Sequence, residues 1–148
     1  MFTRHAYEIF SSSVNAVQPQ VLIPAHLYIK DGYLYLEGQK ISVKDINRLV
    51  VIAAGKAASA MAKAAEFQAG QLIKSGLCLT KYGHSVPLEN FQTFEAGHPL
   101  PDANSIHAGT RVLESLTQLT SGDIVLVLLS GGASSLVADL VPGCTLEE

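Results

Sequence analysis

The chain has 148 residues, 48% of them apolar and 16% charged, with a formal net charge of 10 − 13 = −3. That length allows one domain burying roughly 68–70% of its unfolded surface, and no run of basic residues supplies the phosphate-neutralising surface that sequence-independent nucleic-acid binding needs. The longest wholly apolar runs, Leu49–Ala54 and Ile124–Leu129, have six residues each, against about 20 for a membrane-spanning helix.

The leading residues, Met1-Phe2-Thr3-Arg4-His5-Ala6, lack the apolar centre of a signal peptide. Two cysteines outside any Cys-x-x-Cys pair cannot build a disulfide framework, so a reducing cytoplasm is the expected setting. Cys78 is expected to be a small buried apolar group and Cys144 a loop residue.

Residues 1–17 read as an amphipathic helix, with Phe2, Ala6, Ile9, Phe10, Val14 and Val17 at three- and four-residue steps, ended by Pro19. Leu27–Lys30 and Tyr33–Glu37 flank Asp31-Gly32, the dipeptide that accepts the positive φ angles of a type I′ hairpin turn. Leu49–Ala54 reads as a buried strand, followed by a helix whose inner face carries Ala58, Met61, Ala65, Ala69, Leu72 and Ile73. Strands are expected at Leu77–Thr80 and Phe91–Glu95. Asp102 then caps a helix with a buried stripe of Ile106, Gly109, Leu113 and Leu116, where Gly109 would let the helix lie close to a sheet. Ser121-Gly122 stops that helix, Ile124–Leu129 forms a second buried strand, and Ala133–Asp139 begins another helix. Apolar strands alternating with helices indicate a doubly wound, Rossmann-like α/β parallel sheet, here with a small N-terminal hairpin ahead of it. Thr145-Leu146-Glu147-Glu148 has the Thr-x-x-Glu form of a capping box that announces a further helix. A frayed tail would also carry this pattern; the preferred reading is an incomplete domain, the front portion of a longer protein.

Two segments share one design: a six-residue apolar strand, a turn of tiny residues, then a helix. The first runs from Leu49–Ala54 into Gly55-Lys56-Ala57-Ala58-Ser59, the second from Ile124–Leu129 into Ser130-Gly131-Gly132-Ala133-Ser134-Ser135. If both strands are parallel, both turns meet at the sheet edge where open α/β domains bind ligands. Backbone N–H groups at helix starts, with glycine permitting close approach, make an anion site suited to phosphate or carboxylate. Lys56 sits where the helix dipole already repels a cation, a placement that invites an anion. Small residues after a strand also serve plain helix–sheet packing, and a lysine at a helix start can simply be solvated. The first turn is not a Walker A loop, because Val50 and Ala57 stand where Gly and Ser or Thr would be needed. A dinucleotide site would want an acid about 20 residues after the glycine turn, and here that strand ends in Thr80-Lys81-Tyr82.

Lys81-Tyr82-Gly83-His84 follows the second strand of the series, and Glu95-Ala96-Gly97-His98-Pro99-Leu100-Pro101-Asp102 follows the third. Two prolines around one residue stiffen the latter loop, and one of their bonds could be cis. Such a loop suits a residue that must be aimed, here His98. His84 and His98 fit ordinary loop hydrogen bonding as well, and Asp102 fits a helix N-cap. No zinc-ligand spacing and no Gly-x-Ser-x-Gly elbow occur.

Taken together, Val51-Ile52-Ala53-Ala54-Gly55-Lys56-Ala57-Ala58 with Met61, Lys81–His84, Glu95–Asp102 and Leu128-Leu129-Ser130-Gly131-Gly132-Ala133-Ser134 resemble the glycerate 2-kinase family that carries a MOFRL C-terminal domain. Some members of that family bear a hydroxypyruvate reductase name. The resemblance implies transfer of phosphate from ATP, with Mg²⁺, to the 2-hydroxyl of D-glycerate. It also implies that residues 1–148 are the front part of the N-terminal α/β domain, with the MOFRL domain absent and the active site in the cleft between domains. By that resemblance Lys56 is the catalytic candidate, and Gly55, Ser130, Gly131, Gly132, Ser134, His84 and His98 are candidates for binding substrate or phosphate; the Mg²⁺ ligands and general base are not assigned. The sequence departs from the family at Ala53-Ala54-Gly55 and at Ala133, where additional glycines are common; small alanines there are expected to be tolerated. The alternatives are an NAD(P)-dependent hydroxypyruvate reductase and a non-catalytic domain that binds a small phosphorylated metabolite. A cut sheet edge would also favour homo-oligomers.

Overall fold

A computed structural model describes residues 2–146 of the chain. Helix α1 (Phe2–Ala16) follows the expected span. Pro19 ends nothing further on: it occupies the first turn of a second helix, α2 (Pro19–His26), that the periodicity missed. A proline there loses no helical hydrogen bond, since first-turn N–H groups have no intrahelical acceptor. The face of α1 expected to be buried is uncovered, with Ile9 69% and Phe10 67% exposed.

Strands β1 (Leu27–Lys30), β2 (Tyr33–Leu36) and β3 (Gln39–Ser42) form a small antiparallel sheet in that order. Asp31 and Gly32 both have positive φ, as the type I′ reading requires. Glu37 and Gly38 repeat that geometry and add β3, which the sequence reading did not contain because glutamate is a weak turn signal. Leu27 and Leu34 turn the sheet's apolar face into the main core.

The second sheet holds β4 (Arg48–Ala54), β5 (Ile73–Lys81), β6 (Phe91–Ala96) and β7 (Asp123–Leu129) in the order β6-β5-β4-β7, every neighbouring pair parallel. In the sheet's own chain order this is 3-2-1-4, the opening of the doubly wound arrangement, with its reversal between β4 and β7. Helix α3 (Ala58–Ala69) covers one face through Ala58, Ala62, Ala65 and Ala69. Helices α4 (Ala103–Thr117) and α5 (Ala133–Leu136) lie on the other, where Ala108 and Val112 meet Ile52, Leu77 and Leu79. No helix among the described residues is long and apolar enough to cross a membrane.

Four details differ from the expected elements. Leu72 and Ile73 leave α3, and Ile73 opens β5 as the register partner of Leu49. The buried stripe of α4 is rotated to Ser105, Ala108 and Gly109, leaving Leu113 and Leu116 exposed. Helix α5 ends at Leu136 rather than reaching Asp139. Strand β7 is an edge and not a fully buried strand: Val127 is 51% and Leu129 67% exposed, because no strand among the described residues pairs with its outer side and α4 and the short α5 leave an open trough over it. Glu147 and Glu148, which complete the expected capping box after Thr145, lie outside the described residues.

Gly109 approaches a loop backbone and not the sheet. A Cβ at this position would lie 2.1 Å from the Ala138 carbonyl oxygen. Alanine would gain roughly 1 kcal/mol in helix propensity, but overpacking costs about 1–3 kcal/mol, so Gly109→Ala is expected to lower the thermal midpoint. An unchanged or raised midpoint would show that the segment after α5 yields freely. The β7 edge generates a second expectation. Its only charged residue, Asp123, is paired with Arg48 at 3.0 Å, so no free charge guards the strand. Sedimentation should show association that rises with concentration and weakens in Val127→Lys; a wild-type chain that stays monomeric throughout would contradict this.

Candidate functional site

The two glycine-containing turns meet at the β4–β7 reversal and are tied together by hydrogen bonds. The Ser130 N–H donates to the Ala54 carbonyl (2.9 Å) and the Lys56 N–H to the Gly131 carbonyl (3.0 Å). The Ala57 N–H donates to Ser130 Oγ at 3.0 Å. These bonds hold one turn across the other, so the site's geometry depends on both strands being in register. Gly55 is required at the crossing: its φ is +121°, and a Cβ would fall 2.2 Å from Ser130 Oγ.

Lys56, His98 and Gly132 converge. A Cβ on Gly132 would lie 2.6 Å from His98 Nε2 and 3.5 Å from Lys56 Cγ, so glycine lets the two side chains flank the turn. The Lys56 side chain is exposed and forms no ion pair among the described residues. Helix α3 begins just after it with no acidic residue in its first turn. The positive end of the helix and the ammonium group are therefore not neutralised locally, and an anion would be favoured beside them.

The hydrogen bonds revise the expected cradle. Ser130 spends its N–H on Ala54 and accepts the Ala57 N–H at its hydroxyl, so its first task is to shape the turn. The Gly131 and Gly132 N–H groups make no hydrogen bond among the described residues and are the better placed donors. Ser134 is exposed on α5 and borders an apolar trough with Val112, Leu116, Val127 and Leu129, with no hydrogen bond to Lys56 or His98. His84 is exposed on the turn after β5, and its side chain makes no hydrogen bond or ion pair among the described residues.

Two carboxylates that the residue pattern does not mark as site residues organise the loops at this sheet edge. Glu95 Oε1 accepts the Gly83 and Ser85 N–H groups at 3.0 and 3.2 Å. Hydrogen bonds from Ser85, side chain and backbone, and from the Gly83 and His84 amides hold its carboxyl below the usual range. Asp102 caps α4 through Ser105, as expected, in a reciprocal capping box. It also accepts the Tyr82 hydroxyl at 2.7 Å, and Asn104 donates to that hydroxyl at 2.8 Å. Burial pushes the Asp102 carboxyl up, but the bonds from Tyr82, Gly97 and Ser105 outweigh it and keep it low. Tyr82, facing that carboxylate, has its phenol raised. The His98–Pro99 peptide is cis. The sequence signal for these roles was the acids bounding Glu95–Asp102, but spacing alone could not say what each would grip.

As chemistry, the site offers a cation, a histidine and two glycine N–H groups, a donor set that suits a phosphate or carboxylate oxygen. No cluster of three or more His, Cys, Asp or Glu able to hold a metal occurs among the described residues. Gly55→Ala is expected to cost about 1–3 kcal/mol of stability through strain and the collision with Ser130. Chemical denaturation tests it, and a midpoint equal to that of the wild type would mean the crossing is loose.

The comparisons with known proteins agree with this architecture. D-glycerate 2-kinase of Thermotoga maritima is 41% identical over 144 residues, covering 97% of this chain and 31% of that protein. An Agrobacterium vitis relative, 41% identical over 103 residues, covers 70% of this chain and 27% of its own length; it is named, provisionally, a hydroxypyruvate reductase. A crystal structure of a Pyrococcus horikoshii protein superposes with a TM-score of 0.86 at 31% identity, covering 99% of this chain and 33% of that one. The chain thus spans about a third of the length of the relatives it matches. Residues 5–148 match the family described as "Domain of unknown function (DUF4147)", and the chain belongs to that family.

Proposed function

We propose that the chain is the front part of the N-terminal α/β domain of a D-glycerate 2-kinase, joined in the complete enzyme to a MOFRL-type C-terminal domain in the cytoplasm. The observation that carries this reading is the crossing of the two turns, with the unpaired Lys56 ammonium and the Gly131 and Gly132 N–H groups at the reversal of strand order. The name of the Thermotoga maritima relative supplies the substrate class.

Phosphoryl transfer to an alcohol asks the protein mainly for positioning and for neutralisation of charge on the transferring group. Lys56 would supply that charge, and Gly131 and Gly132 would orient a phosphate or the glycerate carboxylate through their N–H groups. His98, fixed against Gly132, would contact the substrate and help receive the 2-hydroxyl proton; His84 is a further substrate contact. ATP would supply the phosphoryl group, with Mg²⁺ offsetting its charge. Magnesium commonly takes only one or two protein carboxylates; Glu95 and Asp102 are already engaged, and no residue is assigned to the metal.

The reductase reading has the provisional name of the Agrobacterium vitis relative in its favour. Against it, β5 ends in Lys81, where a nicotinamide enzyme would place an acid for the ribose hydroxyls. A non-catalytic phosphometabolite-binding domain would use the same donors without turnover. In a chain extended to the relatives' full length, Lys56→Met should lower turnover at least about ten-fold, the equivalent of 1.5–3 kcal/mol for one charge-assisted bond. Phosphorus NMR of 2-phosphoglycerate formation checks this. Turnover near the wild-type rate would reject the role of Lys56, and oxidation of a nicotinamide cofactor in place of ATP consumption would select the reductase.

A further inference from the structure

Glu95 makes no hydrogen bond or ion pair with Lys56, Gly131 or Gly132, yet it is bound into the same sheet edge. Its side-chain oxygen accepts from Gly83 (3.0 Å) and Ser85 (3.2 Å), the residues on either side of His84. The His84 N–H closes the turn on the Lys81 carbonyl at 3.1 Å, and Gly83 has a φ of +74°. Consecutive N–H groups in such a turn form a concavity that attracts an anion. Here a carboxylate from the neighbouring strand β6 already fills it. One residue further along β6, Ala96 is the register partner of Lys81, so the acid is delivered to the turn by the sheet itself.

A second carboxylate on the same loop makes the link rigid. Asp102 holds the Tyr82 hydroxyl at 2.7 Å while capping α4. The Lys81–Ser85 turn is thus gripped twice by the Glu95–Asp102 segment, once at its backbone and once at a side chain. That segment also carries His98, whose Nε2 abuts the Gly132 turn.

We infer that Glu95 is a positioning residue: by filling the amide concavity of the Gly83–Ser85 turn it fixes His84 relative to His98 and the Lys56–Gly132 anion site. This rests on the phosphate-site reading above. It adds that binding of a phosphorylated three-carbon acid at Gly131 and Gly132 is communicated to, and strengthened by, a His84 that Glu95 holds in place.

The test is an NMR titration of the chain with 2-phosphoglycerate, reading the Gly131 and Gly132 amides and the His84 imidazole. In the wild type, all three are expected to shift with one dissociation constant. In Glu95→Ala the glycine amides should still respond, with affinity about ten-fold weaker, while the His84 response is lost. Glu95→Gln keeps an acceptor oxygen, and most of the affinity and the His84 response should return. The amides of β4 report whether the fold survives in each variant. An alanine variant with wild-type affinity and an intact His84 response overturns the inference. So does a loss shared by both variants together with disturbed β4 amides, which would make Glu95 a general support of the fold. A wild type whose Gly131 and Gly132 amides ignore 2-phosphoglycerate would instead remove the phosphate site, and Glu95's role with it.

Discussion

Three hydrogen bonds between the turn after β4 and the turn after β7 set the conditions for everything else at this sheet edge. Ala54 receives Ser130, Gly131 receives Lys56, and the Ser130 hydroxyl receives Ala57. They form only if β4 and β7 are neighbours and parallel, in the register that pairs Ala54 with Leu129. That register in turn relies on β4 being buried on both faces, and on β7 turning Ile124, Leu126 and Leu128 into the main core. Burial of the alanine face of α3 and of Leu49, Val51 and Ala53 thereby positions a polar site that contributes little core of its own.

The crossing also explains the residue types in the turns. A serine hydroxyl can reach a neighbouring N–H that a larger polar side chain would overshoot. Glycine at 55 removes the Cβ that would occupy that hydroxyl's place, and glycine at 132 leaves room for His98. Lys56 is then the residue whose side chain the local structure does not use. A cation at the start of a helix, unpaired and aimed past two glycines, adds nothing to folding, and this gives it a claim on a ligand.

Much of this was legible in the residues. The parallel sheet followed from Leu49–Ala54 and Ile124–Leu129, the Asp31-Gly32 hairpin from its turn chemistry, and the Asp102 cap from its position before a periodic stretch. The meeting of Gly55, Lys56, Ser130 and Gly132 followed from two strands of one design. What escaped was set by tertiary packing. Helix α2 hides behind a proline that reads as a stop, and β3 behind a glutamate at positive φ. Exposure of Leu113, Val127 and Leu129 depends on which elements stand beside them, and a hydrophobic period says only that a face wants cover. The grips of Glu95 and Asp102 on the Tyr82–Ser85 turn join residues 10 to 20 apart in the chain, a pairing created by the β5–β6 register.

The central claim is that the crossed turns and Lys56 bind a phosphorylated or carboxylate ligand. Isothermal titration of 2-phosphoglycerate into the chain, with Lys56→Met beside it, tests this most directly. The account predicts one site per chain in the wild type, weakened by added salt, and a loss of affinity of about ten-fold or more in the variant. Equal affinity in the two proteins, or no binding by a folded wild-type chain, would contradict it.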